Sequence, residues 1–167
     1  MQDILIVNVK DASYKDLNLN KIIDPNVEHK HSFEFKNCYV TNPYSSGEGK
    51  LSVCFYILEP GKENYPYHYH SSSEEVFYII SGNGTLKTPK GDINIKEGDV
   101  IVFPPNENGA HKIINTSDKQ LIYLDVDTVS TSEVVFYPEQ EKILVMTNKG
   151  FRKSYKIKSE INYLEGE

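Results

Sequence analysis

Closely spaced turns are the feature of this sequence that most restricts its fold. Small and polar turn-forming residues cluster every few positions through the middle of the chain, and such clusters mark tight turns. The clusters are Ser81-Gly82-Asn83-Gly84, Pro89-Lys90-Gly91-Asp92, Lys96-Glu97-Gly98-Asp99, 104–109 and Thr116-Ser117-Asp118. Segments this short exclude long amphipathic helices, so the chain is restricted to β-rich folds.

The segments between and around these turns have the composition of β-strands. They are rich in Val, Ile, Tyr and Phe, which favour strands. The predicted strands are 51–58, 75–80, 85–88, 93–95, 100–103, 111–115, 120–126, 133–137 and 142–147. Many short strands joined by turns favour an all-β sandwich, jelly roll or barrel over an α/β fold.

The length of 167 residues, without an internal repeat or linker, predicts a single domain over 1–167 with a barrel core at about 40–147. The stretch that precedes the core is less regular and is predicted to be an irregular N-terminal segment. At the other end, Tyr155, Ile157 and Ile161 alternate with charged residues. This pattern leaves two interpretations for the C-terminal arm, an edge strand or a segment packed on a partner.

The charge of the chain argues against two classes of partner. Its formal net charge is −6, from 24 acidic and 18 basic residues, so nucleic acids and anionic lipids would repel it. No apolar run approaches the ~18 residues of a membrane span, and the opening Met1-Gln2-Asp3 does not resemble a secretion signal. We therefore expect a cytoplasmic protein with no nucleic-acid or membrane partner, in which Cys38 and Cys54 remain thiols.

The basic residues also restrict the ligand. Only one of the 18, Arg152, is an arginine. The planar guanidinium fork that grips phosphates and carboxylates is therefore scarce. This scarcity disfavours ligands with several such groups and favours a small molecule that is neutral or weakly charged.

A possible metal site begins at His68-Tyr69-His70, where two imidazoles stand on one face of a strand. A carboxylate follows at Glu74 or Glu75, and a further histidine, His111, comes after three turns. Three imidazoles and one carboxylate suit one divalent ion of Fe, Mn, Zn, Ni, Co or Cu. The H-x-H pattern alone is a weak signal. It also occurs at His29-Lys30-His31, where polar and charged neighbours favour a solvated loop over a second metal site.

The spacing around these residues resembles the two signature motifs of the cupin superfamily. The first family motif is a glycine, five residues, H-x-H, three or four residues, a glutamate, six residues and a second glycine. In this sequence the same order is given by Gly61, His68, His70, Glu75 and Gly82, with one additional residue after Gly61.

The second family motif is a glycine, five residues, P-x-G, two residues, a histidine, three residues and an asparagine. Gly98, Pro104, His111 and Asn115 follow this order, but the loop from Pro104 to His111 is two residues longer. The longer loop leaves open how His111 approaches the site. The resemblance covers about 51–126, and the chain is also similar to uncharacterised single-domain cupin-2 barrel proteins.

This resemblance implies an all-β double-stranded β-helix, or jelly-roll barrel. It also implies that the metal is held by His68, His70, Glu75 and His111. Glu75 is preferred to Glu74 because Glu75 has the family spacing to Gly82.

Strand alternation predicts which side chains share the cavity of the metal. Phe77 and Ile79 lie on the strand face of Glu75, and Ile113 lies on the face of His111. We therefore predict a largely apolar substrate pocket. The opposite face of the same strand is also apolar and needs cover, which predicts a homodimer.

Two acidic residues, Asp125 and Asp127, share one face near the end of a predicted strand. They could reach the mouth of the barrel beside the metal. A turn at the end of the strand explains them more simply, and we favour that interpretation.

The resemblance leaves the reaction open, because the cupin fold hosts many activities. Four protein ligands leave coordination positions free for water or substrate, as catalytic metal sites do. We therefore expect a metal-dependent enzyme with dioxygenase-like or isomerase-like chemistry on a small metabolite. The alternative is a non-catalytic cupin that binds or senses a small molecule.

Overall fold

The structure, a computed structural model, describes residues 5–8, 10–19 and 31–166. In chain order its strands are β1 (Lys15–Asn18), β2 (Glu34–Thr41), β3 (Leu51–Leu58), β4 (Tyr69–His70), β5 (Glu75–Ser81), β6 (Asn83–Thr88), β7 (Gly91–Lys96), β8 (Val100–Phe103), β9 (Lys112–Ile114), β10 (Leu121–Thr128), β11 (Ser132–Tyr137), β12 (Lys142–Thr147) and β13 (Arg152–Lys156). One α-helical turn, α1 (Pro43–Ser46), and 3-10 turns at Glu107–Gly109, Pro138–Gln140 and Ile157–Ser159 complete the described elements.

These strands form three antiparallel sheets, which confirms the all-β prediction. The largest has the order β1-β2-β3-β10-β5-β8, the second β13-β12-β11-β4, and the third β7-β6-β9. Non-sequential neighbours such as β3, β10 and β5 are typical of jelly-roll barrels, whose strands return across the fold. Within the described residues, no helix has the length and apolar character needed to cross a bilayer.

The core lies between the six-stranded and three-stranded sheets. Tyr56, Phe77 and Tyr123 of the large sheet pack in one buried cluster with Leu86 and Ile95 of the small one. Alternate burial along β3 and β10 produces this arrangement, because successive side chains point to opposite faces. A smaller cluster, made by Val135, Leu144 and Met146, belongs to the second sheet.

The two ends of the chain contain more regular secondary structure than the sequence predicted. The predicted irregular N-terminal segment contains β1 and nearly all of β2, which extend the large sheet. Its alternation was obscured because a buried inward position of β2 is polar Asn37. At the other end, β13 pairs with β12 as a fully exposed edge strand that contains Tyr155, as the first interpretation predicted. Ile157 lies in a 3-10 turn and Ile161 lies outside any strand, so the edge strand is shorter than the alternation suggested.

Gly82 shows why the motif requires a glycine between β5 and β6. Its φ is +84°, a conformation that L side chains rarely adopt. A Cβ atom there would lie 2.3 Å from the Gln120 carbonyl oxygen. The glycine therefore allows β5 to turn closely against the chain that enters β10.

Candidate metal centre

The predicted ligands His68 and His111 are held opposite each other by their own backbones. The His68 amide donates to the His111 carbonyl at 3.1 Å, and the His111 amide donates to the His68 carbonyl at 2.8 Å. This mutual pairing is that of a hydrogen-bonded antiparallel pair, and the ring centroids lie 4.7 Å apart. Two residues separated by 42 positions of sequence therefore present their imidazoles to one point.

Hydrogen bonds also fix the tautomers of these two rings. Nδ1 of His68 lies 2.8 Å from the Pro66 carbonyl oxygen, and Nδ1 of His111 lies 2.9 Å from that of Gly109. Because a carbonyl only accepts, each Nδ1 carries the proton and each Nε2 keeps its lone pair. Nε2 of His111 is buried and has no hydrogen-bond partner among the described residues, so its lone pair is free to bind a metal ion.

His70 and Glu75 complete the set from the ends of β4 and β5. Glu75 Oε1 lies 3.5 Å from His70 Nε2, and Glu75 Oε2 lies 3.5 Å from His111 Nε2. Donors bound to one ion at about 2.0–2.2 Å are themselves separated by about 3–3.5 Å. Donor atoms of His68, His70 and Glu75 all lie within 4.8 Å of one another, so the chain's own residues fit a divalent ion.

Burial keeps the imidazoles in the form that binds metal. It lowers the pKa of His68 to about 4 and that of His70 to about 3, and it holds the pKa of His111 well below its usual value. Burial and the neighbouring Asp127 raise the pKa of Glu75. Neutral imidazoles around an inward carboxylate suit a borderline divalent ion, whereas Glu74, the alternative carboxylate, is exposed.

The longer loop before His111 does not displace this histidine from the site. Its additional residues form the 3-10 turn Glu107–Gly109, which the Asn106 side chain caps through the Asn108 amide. His111 itself is fully buried, and its ring stacks on Phe103 with centroids 3.9 Å apart. The question left open by the spacing is therefore answered by a compact turn.

Glu133 was not selected from the sequence, yet its side chain holds the loop 71–74 between two of the predicted ligands. Its side chain is 1% exposed, and its carboxylate accepts five hydrogen bonds of 2.7 to 3.2 Å. The donors are the Ser71 amide and hydroxyl, the Ser72 amide, the Ser73 hydroxyl and the Val134 amide. Only the folded pairing of β11 with β4 brings Glu133 to this loop.

The interpretation of Asp125 and Asp127 as turn residues is wrong. Both lie within β10, where Asp127 stands directly opposite Glu75 and Asp125 stands opposite Phe77. Donor atoms of Glu75, Asp125 and Asp127 lie within 4.8 Å of one another. The signal was available in strand parity, because Asp125 continues the buried alternation of Leu121 and Tyr123.

In the cluster of Glu75, Asp125 and Asp127, burial disfavours the ionised form of each carboxylate. Burial raises the pKa of Asp125 well above its usual value, and Asp127 and Glu75 raise it further. Burial likewise raises the pKa of Asp127. Oδ1 of each aspartate is buried without a hydrogen-bond partner among the described residues, so one oxygen of each carboxylate can accept from a ligand.

A cavity of about 220 Å³ adjoins three of the predicted metal ligands, His68, His70 and Glu75, and the two aspartates. Phe77 lines it as predicted, but Ile79 and Ile113 are fully buried in the core and do not line it. They share the inward faces of their strands with the ligands but lie farther along the barrel. The wall is more polar than expected, because tyrosines and asparagines face the cavity, among them Tyr39, Tyr44, Tyr65, Tyr137, Asn42 and Asn64.

A second, larger groove of about 340 Å³ lies over β1, β2 and β3. It contains none of the predicted metal ligands. The lysines on its wall already face carboxylates, Lys62 at Glu34 and Lys36 at Glu59. Its charged groups are therefore partly neutralised by the protein itself.

Comparison with known proteins agrees with this geometry. Residues 54–127 match the family described as the cupin domain. The chain is 36% identical over 89 residues to glucose-6-phosphate isomerase of Thermococcus litoralis, and this match covers 46% of each protein. The chain therefore spans about half the length of that relative.

Two solved structures resemble the fold over most of its length. One, from Acidithiobacillus ferrooxidans, is assigned provisionally by its name as a sugar phosphate isomerase. It is 28% identical with a TM-score of 0.69, over 89% of this chain and 96% of that one. The other, a cupin-superfamily sugar phosphate isomerase of Silicibacter pomeroyi, has a TM-score of 0.73 over 95% and 97% of the two chains, but its 18% identity supports the fold alone. With the motif spacing and the barrel, the match identifies a cupin domain over residues 54–127 of the chain.

Proposed function

We propose that this protein is a metal-dependent isomerase that interconverts small hydroxylated carbonyl compounds such as aldose and ketose sugars. The proposal draws its substrate class from the Acidithiobacillus ferrooxidans protein that is provisionally named a sugar phosphate isomerase, which is 28% identical and matches 89% of this chain. The partial match to glucose-6-phosphate isomerase points to the same chemistry.

The observation that carries the proposal is the position of two spare carboxylates beside the metal donors. Asp125 and Asp127 line the same cavity as His68, His70 and Glu75. An ion-binding site needs only the histidines and Glu75. Additional carboxylates with raised pKa values are instead suited to proton transfer at neutral pH.

One divalent ion would be held by His68, His70, Glu75 and His111. When bound, it supplies a Lewis acid that polarises the oxygens of the substrate. Isomerisation of this kind requires no external oxidant or reductant. Every atom lost by one carbon of the substrate is regained by its neighbour.

The proton balance assigns a role to the aspartates. A carboxylate removes the proton from the carbon next to the carbonyl and returns it to the former carbonyl carbon, while the hydroxyl proton crosses to the other oxygen. Asp125 and Asp127 are placed for the first of these transfers. Their raised pKa values keep the protonated form accessible near neutral pH, which the return step requires.

The tyrosines of the cavity would orient the substrate hydroxyls. Burial raises the pKa of Tyr65 and Tyr137, so both remain protonated and can donate or accept hydrogen bonds. Phenol groups bind neutral hydroxyls without introducing charge. They therefore suit a polyhydroxylated ligand better than an apolar one.

The test is to incubate Zn²⁺- and Mn²⁺-loaded protein with aldoses, ketoses and their monophosphates in D₂O. Proton NMR would follow interconversion and deuterium incorporation, while an oxygen electrode records dioxygen consumption. We expect interconversion with deuterium at the exchanged carbon, no oxygen uptake, and loss of exchange in Asp125→Asn or Asp127→Asn.

Other outcomes would overturn the proposal in distinct ways. Oxygen consumption with substrate loss would identify a dioxygenase, and reversible binding without turnover would identify a binding or sensing protein. Interconversion that persists at the wild-type rate in both Asp125→Asn and Asp127→Asn would retain the isomerase and refute the role of the aspartates. Lys153→Gln, an exposed change on β13, is the control.

A further inference from the structure

We propose that Arg152 binds the phosphate group of a singly phosphorylated substrate at the end of the cavity formed by the second sheet. This inference rests on the proposed function, since it names the substrate class of the same site. It assigns the only arginine of the chain to ligand recognition.

The register of the sheet directs Arg152 toward the cavity. In the pairing of β13 with β12, Arg152 stands opposite Met146, and opposite residues of an antiparallel pair share a face. Met146 is 7% exposed and lines the cavity, as Arg152 does. The next residue, Lys153, stands opposite Val145 and therefore lies on the other face.

Tyr137 connects Arg152 with the metal ligands. The Tyr137 ring stacks on His68 with centroids 5.8 Å apart. Arg152 is close enough to oppose the increase that burial causes in the pKa of Tyr137. A ligand that reaches the metal along this ring would therefore present its other end to the guanidinium.

The charge of the cavity leaves Arg152 available for an anion. Its lining holds three carboxylates, Glu75, Asp125 and Asp127, and Arg152 is the single lysine or arginine among its described lining residues. No ion pair joins Arg152 to a carboxylate in the described part of the chain. A guanidinium without such a partner can offer both parallel N–H groups to phosphate oxygens.

Two lysines near the cavity could supply a positive charge in place of Arg152, and the experiment can distinguish them from it. Lys142 lies with its Nζ 4.6 Å from the centroid of the Tyr137 ring, but it does not line the cavity. Lys153 is a neighbour of the same charge on the opposite face of β13. Variants at these positions test whether any positive charge near the rim is sufficient.

The experiment measures binding, so it does not depend on turnover. Isothermal titration would compare glucose 6-phosphate, inorganic phosphate and glucose on wild-type protein and on Arg152→Gln, Arg152→Lys, Lys142→Gln and Lys153→Gln. Each protein would be used with Zn²⁺ bound and after chelation, because phosphate can also bind a metal directly.

We expect Arg152→Gln to weaken binding of glucose 6-phosphate at least about tenfold, because a charge-assisted bidentate contact is lost. Arg152→Lys should recover part of the loss, since it restores charge without the fork. Glucose should bind Arg152→Gln and wild type equally, and Lys142→Gln and Lys153→Gln should resemble wild type.

Several results would overturn the inference. Unchanged binding of glucose 6-phosphate by Arg152→Gln, equal losses in the lysine variants, or no binding of either phosphate probe by wild type would each do so. Equal loss of glucose binding would reveal a structural role of β13 instead. Arginine-dependent phosphate binding without sugar interconversion would retain this inference and refute the isomerase. Interconversion that is equally fast in wild type and Arg152→Gln would retain the isomerase and refute this inference.

Discussion

Removal of the Glu133 carboxylate should weaken the metal site without touching a metal ligand. Four of the five hydrogen bonds that Glu133 accepts come from the loop 71–74, which connects His70 to Glu75. Glu133→Ala removes every acceptor. Glu133→Gln retains the shape and one carbonyl oxygen, and its amide can donate to the Ser73 hydroxyl.

The contacts of each donor determine the size of the effect. Ser71 and Ser72 are exposed, so water can replace part of what their amides lose, whereas Ser73 is 2% exposed and its hydroxyl would lose its charged acceptor. Hydrogen bonds to a charged group contribute about 1.5–3 kcal/mol each, and an orphaned buried group costs about 1–3 kcal/mol. Partial replacement by water gives a loss of about 3 kcal/mol for Glu133→Ala and about 1 kcal/mol for Glu133→Gln.

Urea unfolding of chelator-treated protein would measure these stabilities, and titration with Zn²⁺ would measure affinity. A loosened partner of a metal ligand typically lowers affinity by about 10–100-fold. We expect about a tenfold loss in Glu133→Ala, with a changed Co²⁺ absorption spectrum that reports altered ligand geometry. A variant that is merely less stable would keep the wild-type spectrum while folded.

Glu74→Ala is the matched control, because Glu74 is an exposed glutamate of the same loop. It should change neither stability nor Zn²⁺ affinity appreciably. The reasoning would be refuted if folded Glu133→Ala bound Zn²⁺ as tightly as Glu74→Ala, or if Glu133→Gln were as damaging as Glu133→Ala.

Four further predictions concern the site and the assembly. Elemental analysis should find about one metal per chain in wild type and in Glu74→Ala but little in Glu75→Ala, and the opposite result would reverse the choice of carboxylate. Because burial raises the pKa of Asp127 opposite Glu75, ionisation of Asp127 in the folded state costs stability as pH rises above its usual pKa near 4. Asp127→Asn should therefore stabilise the metal-free protein to urea by up to about 1 kcal/mol at pH 8 and by less at pH 5; an equal gain at both pH values would contradict this. A Cβ atom at Gly109 would lie 2.1 Å from the Pro104 carbonyl oxygen, so Gly109→Ala should cost about 1–3 kcal/mol and shift the Co²⁺ spectrum by moving His111, and a wild-type spectrum would exclude that coupling. We also expect light scattering to give about twice the 19.1 kDa of one chain, since Val100 and Val102 on the outer face of β8 are 64% and 66% exposed; a mass near 19.1 kDa would rule out the homodimer.

The strands of the middle of the chain could be predicted because local signals decide them. Segments 51–58, 100–103 and 142–147 agree with β3, β8 and β12 residue for residue. Each combines β-branched or aromatic residues with flanking turn residues, so propensity and pattern agree. In contrast, β4 has two residues, and only its pairing with β11 makes it a strand.

The candidate site likewise contains residues that local sequence patterns identify and residues that only the folded structure brings together. His68, His70, Glu75 and His111 were identified from spacing. Donor atoms of the first three lie within 4.8 Å of one another, and His111 Nε2 lies 3.5 Å from Glu75 Oε2, although metal binding itself stays a prediction. Asp125 and Asp127 were misjudged because proximity to a strand end resembles a turn in sequence, and only the β5–β10 register places them opposite Phe77 and Glu75. Glu133 could not be found at all, because its partners are about 60 residues away.

The origin of each wall of the cavity explains why a family match leaves the substrate open. The four predicted metal ligands and both aspartates lie within 54–127, the part that matches the cupin domain. Other lining residues come from outside it, from β2 and α1 at one end of the chain and from β11 to β13 at the other. Exchange of a wall side chain such as Tyr39 or Arg152 leaves the metal donors in place, because backbone pairing holds the strands that carry them: His68 with His111, β4 with β11 and β5 with β10.

Selection for a ligand can therefore act on these wall side chains at little cost to the metal site, whereas Glu133 of β11, which holds the loop 71–74, is not free to change. Tyr39 and Tyr44 come from one flank, and Tyr137 and Arg152 from the other. If the proposed isomerase is correct, these flanking residues choose the sugar and its charge, while the barrel supplies the ion and the proton carrier. Exchange of Tyr39 or Tyr137 for Phe should thus change which sugar binds more than it changes Zn²⁺ affinity, because it removes a hydroxyl that faces the ligand and no group that holds a metal donor.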